Sequence, residues 1–144
     1  RARIHAARRS VVACILRPVT EAPSTQTGHF NVLFILRADA QGGANGRGSR
    51  WAGQVAFPGG HVEPGESDTD AVVREVREEI GLSLDDRERY RLLGEVVPRV
   101  VTRDDGSTLA VCCHVYLQSN GAVASGSDDV MTPDPTEVAA VGWA

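Results

Sequence analysis

The chain has 144 residues, of which 42% are hydrophobic and 24% are charged, with a formal net charge of −4 and a sequence pI near 5.5. This length fits one domain over residues 1–144, and the acidic balance argues against a general nucleic-acid or anionic-membrane surface. No apolar run approaches the ~20 residues that span a bilayer, so we expect a soluble, intracellular protein of the cytoplasm or an organellar matrix.

The first part of the chain is rich in β-strand patterns. Residues 10–19 and 29–38 are β-branched and aromatic runs on either side of a turn-rich segment, and we expect them to pair. Residues 39–49 contain four Gly and predict a flexible excursion. Residues 51–57 have strand character, and the Pro58-Gly59-Gly60 run is expected to end that strand.

One helix is predicted at residues 68–80. Ser67 can cap its start, with Asp70 three residues on, and Gly81 stands where a C-terminal glycine belongs. The 3.6-residue period predicts a buried stripe, which consists of Val72, Val73, Val76 and Ile80.

Strand patterns return in the second half of the chain. Residues 89–101 and 107–118 flank a turn at Asp104-Asp105-Gly106, which predicts a hairpin. Residues 137–144 predict a last strand that reaches Ala144, which leaves open a C-terminal helix beyond it. Several strands around one strong helix predict a mixed α/β fold.

The three cysteines indicate the redox environment. Cys14, Cys112 and Cys113 form no CxxC motif, and we expect reduced thiols. Cys112 and Cys113 are neighbours in a predicted strand, so their side chains should point to opposite faces.

Negative charge is concentrated in residues 59–82, where seven acidic residues face only two arginines. On the predicted helix, Glu75 and Glu79 lie one turn apart at one edge of the buried stripe, with Glu78 close by. Two kinds of surroundings can reduce the repulsion between these carboxylates. One is solvent on an exposed helix face, and the other is a hard divalent cation bound by the carboxylate oxygens.

The spacing of the whole segment distinguishes these two interpretations. Its residues follow the pattern G-x5-E-x7-R-E-U-x-E-E-x-G-U, in which U is aliphatic, from Gly60 through Glu66 and Arg74 to Leu82. This pattern closely resembles the Nudix box. The resemblance implies a Nudix-type α/β/α sandwich with a mixed β-sheet, and hydrolysis of a nucleoside diphosphate linked to another moiety.

The resemblance also implies roles for the residues of the box. Mg²⁺ or Mn²⁺ would be bound by Glu75 and Glu79, by Glu78 directly or through water, and by the carbonyl of Gly60. Arg74 would orient a neighbouring carboxylate. Glu66 would support the loop, or it is only a structural acid. Gly59 and Gly60 would allow the backbone to approach a phosphate, and Gly81 would end the helix.

The general base is less determined, because members of the Nudix family use a glutamate of the box or one from a later loop. Glu137, just before the last strand, is the candidate outside the box, with Asp128 and Asp129 as weaker ones. His61 is more simply a loop residue. We expect residues 119–136 to be poorly ordered until substrate binds, with Glu137 well away from the Glu75 and Glu79 site in the free protein.

The segment before the box is similar to that of coenzyme A diphosphatases of this family. Arg37 and the run Gly53, Phe57, Pro58, Gly59 and Gly60 match, whereas Ile35, Ala38 and the spacing of Arg50 depart from that pattern. Under this resemblance Arg37 and Arg50 bind substrate phosphates, although both could be surface residues in a chain whose 15 basic residues are all Arg. Trp51 either stacks on a base or packs at a sheet edge.

Three alternatives to a coenzyme A substrate stay open: an ADP-ribose or dinucleotide pyrophosphatase, an RNA 5′-end hydrolase, and a non-catalytic binding module. The expected partner is a small-molecule nucleotide rather than a nucleic acid or a membrane. A homodimer also remains open.

Overall fold

The computed structural model describes residues 8–19, 29–38, 52–102, 104–119 and 130–144. Within these ranges the chain forms seven strands and one helix. Their order is β1 (Arg8–Pro18), β2 (Phe30–Arg37), β3 (Val55–Ala56), β4 (Gly59–His61), α1 (Asp68–Ile80), β5 (Tyr90–Thr102), β6 (Thr108–Gln118) and β7 (Val138–Trp143). No helix in the described ranges has both the length and the apolar character needed to cross a bilayer.

The strands form one mixed sheet, as predicted. Its order is β3-β2-β1-β6-β5, with β4 also paired to β1 and β7 to β2. The central β1–β6 pair is parallel, and the remaining pairs are antiparallel. The pairing of β1 with β2 and the β5–β6 hairpin are both confirmed. The α/β fold expected from the sequence is therefore the observed one, with the described helix covering one face of the sheet.

The prediction of a strand at residues 51–57 is confirmed only at Val55–Ala56, and the expectation that Gly59 and Gly60 end strand structure is wrong. Among the described residues 52–57, the strand consists of Val55–Ala56, and Gly59–His61 form a new strand against β1. The cause is a close backbone approach, since a Cβ on Gly59 would lie 2.1 Å from the carbonyl oxygen of Val11. Gly59 also has φ 147°, which disfavours other residues. Only glycine at residue 59 lets this short strand lie on β1.

The helix has the predicted bounds and the predicted caps. Ser67 accepts a hydrogen bond from the Asp70 N–H at 3.1 Å, and Gly81 ends the helix in the left-handed region with φ 77°. The predicted stripe is buried at Val72, Val76 and Ile80 and partly buried at Val73. These side chains pack on a sheet face formed by Val11, Ala13, Ile15, Leu33 and Ile35.

The cysteines are free, as expected, and the two neighbours in β6 differ in environment. Cys112 is buried in the core, whereas Cys113 is half-buried on the opposite face. Burial is the main reason that the pKa of each cysteine thiol lies above its usual value. We therefore expect the thiols to stay protonated near neutral pH.

Candidate active site

The helix places two carboxylates against the backbone of β4. Oε2 of Glu79 accepts a hydrogen bond from the Gly59 N–H at 2.7 Å, and the Glu79 side chain is only 2% exposed. One turn earlier, the carboxylate of Glu75 lies against Gly60, where a Cβ would come within 2.4 Å of Glu75 Cδ. Residues four apart share a helix face, so the short strand and the helix bring both carboxylates to one edge.

Arg74 connects this edge to the loop before the helix. Its Nε and Nη2 donate to both oxygens of Glu66 at 2.9 and 3.0 Å, and Nη2 also donates to the His61 carbonyl at 3.0 Å. Its Nη1 donates to Glu75 at 2.9 Å and to Glu78 at 3.2 Å. The hydrogen bonds to Glu66 are the largest reason that the pKa of Arg74 lies above its usual range. One guanidinium thus orients two box carboxylates and braces the loop.

Glu66 has the loop-supporting contacts that the sequence allowed. Besides Arg74, it accepts a hydrogen bond from the Glu63 N–H at 3.0 Å. The side-chain hydrogen bonds from Arg74, followed by that backbone bond, lower the pKa of the Glu66 carboxyl. The ionised carboxylate is the form that this arrangement favours.

The pKa of Glu79 is raised to about 7, chiefly because its carboxyl is buried. The Gly59 N–H and the positive charge of Arg37 act in the opposite direction, whereas the negative charges of Glu137 and Glu75 raise the pKa further. Arg37 and Glu137 are therefore close enough to Glu79 for their charges to change the pKa of its carboxyl. The site therefore has a buried carboxylate whose negative charge is costly in the metal-free protein.

The segment that carries Glu137 is bonded to the end of the helix. The Thr132 N–H donates to the Ile80 carbonyl at 2.9 Å, and the Asp134 N–H donates to the Glu79 carbonyl at 2.9 Å. These bonds satisfy carbonyl groups that a helix end leaves without partners. The expectation of poor order is therefore wrong for residues 130–136, while residues 120–129 lie outside the described residues. Glu137 is close enough to Glu79 for its negative charge to raise the pKa of that carboxyl. Asp128 and Asp129 lie outside the described residues.

The residues proposed from the upstream segment have mixed outcomes. Arg37 is half-buried at the end of β2, where its backbone pairs with Gln54 and Gly53, each at 3.0 Å. Phe57 stacks on Phe34, with ring centroids 5.2 Å apart, which is a packing role. Arg50 and Trp51 lie outside the described residues.

His61 contributes its backbone rather than its imidazole to the contacts of the box. Its carbonyl accepts from Arg74, and its side chain is exposed. A cavity of about 430 Å³ opens beside this loop, with walls that include Arg8, Arg9, His61, Glu63 and Glu66. The cavity thus flanks the Arg74 side of the box.

Sequence reasoning missed Asp134, which connects the loop to the helix. Its Oδ1 accepts hydrogen bonds from the Thr136 N–H at 2.8 Å and from the Thr136 hydroxyl at 2.7 Å. An Asp followed two residues later by Thr is a local turn pattern that could have revealed this turn. Its contact with Glu79, 55 positions earlier in the chain, leaves no trace in the local sequence.

The donor set fits a hard divalent cation. Glu75 and Glu79 present carboxylate oxygens along one edge, and the side chain of Glu78 is 60% exposed and accepts a hydrogen bond from Arg74 Nη1. Oxygen donors of this kind suit Mg²⁺ or Mn²⁺. In the part of the chain that the structure describes, no three His, Cys, Asp or Glu side chains already converge on one point. Binding would therefore require side-chain adjustment, of which the exposed Glu78 is capable.

Comparisons with solved structures show proteins of the same fold. The chain is similar to the crystal structure of a Nudix hydrolase from M. Smegmatis, RenU, at 20% identity, with a TM-score of 0.65 and coverage of 99% of this chain and 73% of that one. It is also similar to a C. elegans Ap4A hydrolase in a binary complex, at 17% identity, with a TM-score of 0.62 and coverage of 94% and 78%. At these identities the two likenesses show a shared fold.

Sequence comparison gives the family. Nudix hydrolase 3 of Caenorhabditis elegans is 43% identical over 47 residues, which are 33% of this chain and 20% of that protein. The chain therefore spans about a fifth of the length of this curated relative. The family described as NUDIX domain matches residues 7–144. Because that match covers nearly the whole chain and includes every box residue of the site, the chain belongs to the NUDIX domain family.

Proposed function

We propose that the protein hydrolyses the pyrophosphate linkage of a nucleoside diphosphate derivative, in a reaction that depends on Mg²⁺ or Mn²⁺. The observation that carries this proposal is the pair Glu75 and Glu79, held side by side against Gly60 and Gly59. A buried carboxylate such as Glu79, with a pKa raised to about 7, is stabilised in its charged form by a bound cation.

In this proposal Glu75 and Glu79 would bind the metal, Glu78 would join them directly or through water, and the Gly60 carbonyl would complete the set. A cation held by these residues would supply charge neutralisation at the pyrophosphate and activation of water. Arg74 keeps Glu75 and Glu78 oriented through its two Nη1 contacts. Without Arg74 the carboxylates would lose part of the positioning on which the rate depends.

Two residues outside the box complete the proposed mechanism. Glu137 lies in the electrostatic surroundings of Glu79 and takes the role of general base, accepting a proton from the attacking water. Arg37 lies near the same carboxylate and contacts a non-bridging oxygen of the substrate. The absence of a side chain at Gly60 leaves room for the carboxylate of Glu75, and the Gly59 N–H holds the carboxylate of Glu79.

The substrate that we propose first is coenzyme A or an acyl-CoA, which would be split into 3′,5′-ADP and a 4′-phosphopantetheine product. Arg37 and the segment from Gly53 to Gly60 support this choice, and Ile35, Ala38 and the spacing of Arg50 weigh against it. Dinucleotides such as Ap4A, and ADP-ribose, are the second candidate class. RNA 5′ ends and a non-catalytic binding role have less support, since the three box carboxylates are all present and the chain is acidic. The free thiols favour a reducing, intracellular compartment.

A substrate panel tests this proposal. Purified protein would be incubated with coenzyme A, ADP-ribose, NADH, diadenosine polyphosphates, nucleoside triphosphates and capped RNA, with Mg²⁺, with Mn²⁺ or with chelator. We expect metal-dependent cleavage of coenzyme A into the two products above. Cleavage of ADP-ribose or Ap4A without cleavage of coenzyme A rejects the substrate and keeps the reaction class. No cleavage of any compound by the metal-loaded protein rejects the reaction class.

A further inference from the structure

Asp134 makes backbone hydrogen bonds to both glutamates of the proposed site. Its N–H donates to the carbonyl of Glu79 at 2.9 Å, and its own carbonyl accepts from the N–H of Glu137 at 3.1 Å and of Val138 at 2.8 Å. One residue thus connects the end of the helix to the start of β7. The relative position of the two glutamates depends on the conformation at Asp134.

The side chain of Asp134 stabilises that conformation. Its Oδ1 accepts from both the N–H and the hydroxyl of Thr136, at 2.8 and 2.7 Å. These bonds close the turn that leads into Glu137, in the way that Asp commonly stabilises turns. The carboxylate of Asp134 therefore acts on the loop backbone, with no direct contact to substrate required.

Glu137 is also anchored from the other side. Its carbonyl accepts a hydrogen bond from the Ala38 N–H at 2.8 Å, which joins it to the residue after Arg37. Earlier in the same loop, the Thr132 N–H donates to the Ile80 carbonyl at 2.9 Å. The described loop is thus bonded to the end of α1 and to the residue after β2, and the turn at Asp134 lies between these two attachments.

We propose that Asp134 is a positioning residue, whose side chain holds the turn so that the carboxylate of Glu137 stands beside Glu79. This inference rests on the proposed function, in which Glu137 is the general base. A displacement of about 1 Å in a reacting group can cost on the order of 10²-fold in rate. At metal sites, the loss of a hydrogen-bond partner that orients a ligand typically lowers metal affinity or activity by about 10- to 100-fold.

Substitutions at Asp134 and Thr136 test the inference by kinetics. We expect Asp134→Ala to lower kcat by about 10- to 100-fold with little change in KM, and Asp134→Asn to recover most of the rate, since its amide oxygen can still accept the Thr136 N–H. Thr136→Val, which removes only the hydroxyl donor, should have a smaller effect in the same direction. In a Glu137→Gln background, Asp134→Ala should cause no further loss.

Asp105→Ala is the matched control. Asp105 makes the same kind of contact to the Ser107 N–H at 2.8 Å, in the β5–β6 turn. We expect this variant to keep its kcat. A loss as large as that of Asp134→Ala would assign the effect to general destabilisation and overturn the inference.

Amide hydrogen exchange in the metal-free protein gives a readout that does not depend on activity. We expect Asp134→Ala to speed exchange at Glu137 and Val138 by about tenfold or more, and Asp134→Asn to restore protection. Unchanged exchange, or a rate loss that is additive with Glu137→Gln, overturns the inference. Full activity of Glu137→Gln overturns it too, while metal-dependent hydrolysis by the wild type keeps the proposed reaction. If the wild type hydrolyses nothing, the reaction fails separately, and exchange alone decides the role of Asp134 in the turn.

Discussion

Gly60 and the carboxylate of Glu75 are in direct contact, so closely that a Cβ at residue 60 would lie 2.4 Å from Glu75 Cδ and 2.4 Å from its Oε2. The atoms that would collide are the far end of a flexible side chain. A larger residue at position 60 can therefore be accommodated, but only if the carboxylate leaves its place. The neighbouring Gly59 meets backbone atoms of Val11 and Val12 instead, which cannot move as easily.

This difference predicts that substitution of Gly60 lowers activity, whereas substitution of Gly59 lowers stability. Gly60→Ala should keep the free energy of unfolding within about 1 kcal/mol but lower kcat/KM by about 10²-fold, because Glu75 is displaced. Gly59→Ala should lose on the order of 2 kcal/mol or more of stability, since it adds a backbone clash to an unfavourable φ. Urea unfolding and steady-state kinetics measure both. Gly142→Ala, where a Cβ meets nothing within 4 Å, is the control expected to change neither.

Removing the charge of either central carboxylate should abolish most of the activity. We expect Glu75→Gln and Glu79→Gln each to lose on the order of 10³-fold in kcat/KM, because the isosteric amide is a poor ligand for a hard cation. Calorimetric titration with Mn²⁺ should show weaker binding in the same variants. Glu88→Gln, at an exposed residue of the turn after the helix, should match the wild type. Full metal affinity in Glu75→Gln would contradict the assignment.

Arg74→Lys tests whether the planar guanidinium is required. Lysine keeps the positive charge. It cannot make the paired hydrogen bonds of the planar guanidinium to Glu66, and it lacks the Nη1 group that donates to Glu75 and Glu78. We expect a loss of about 10- to 100-fold in kcat with the fold retained. Arg77→Lys, which alters the exposed Arg77–Asp85 pair, should leave kcat unchanged. Equal rates for the two variants would show that only charge is needed at residue 74.

The raised pKa of Glu79 predicts a pH dependence of stability in the metal-free protein. The folded protein holds this proton up to about pH 7, whereas the unfolded chain releases it near the ordinary glutamate pKa of 4.5. Between these values the folded state binds more protons, so stability should fall as pH rises, by on the order of 3 kcal/mol. Urea unfolding gives the free energy of unfolding of the wild type and of Glu79→Gln at pH 4.5 to 8. The difference between these two free energies, as a function of pH, is the contribution of Glu79. Identical pH profiles would argue against a raised pKa, and saturating Mg²⁺ should reduce the difference.

Arg37→Ala should act mainly on substrate binding. If Arg37 contacts a phosphate oxygen, its removal raises KM for the cleaved nucleotide by about tenfold with a smaller change in kcat. The wild type and the variant are compared by initial rates on the best substrate of the panel. An Arg17→Ala variant, which removes a cation–π contact to Trp143, controls for the loss of an arginine from the sheet. An unchanged KM in Arg37→Ala would remove this residue from the binding site.

The helix and its chemistry were determined by local sequence. Ser67, Gly81 and the spacing of Val72, Val76 and Ile80 specify its start, end and buried stripe through interactions within a few residues, so its bounds were predicted correctly. The box pattern identified the family for the same reason, since its residues occupy fixed positions along one loop and one helix. The long strands were also found from composition and periodicity, with ends displaced by one or two residues.

Only the tertiary structure decided where β4, Glu79 and the Glu137 loop lie. Gly59 looked like the end of a strand because its partner, the backbone of Val11, is distant in the sequence. The burial that raises the pKa of Glu79 arises from packing against β4, and no local pattern encodes it. Likewise the segment before Glu137 has the composition of a mobile loop, yet the helix-end carbonyls of Glu79 and Ile80 bind it. Local sequence determines the tendency of a segment to form a helix, a strand or a loop. Contacts between distant segments determine which polar groups find hydrogen-bond partners and which charges are buried.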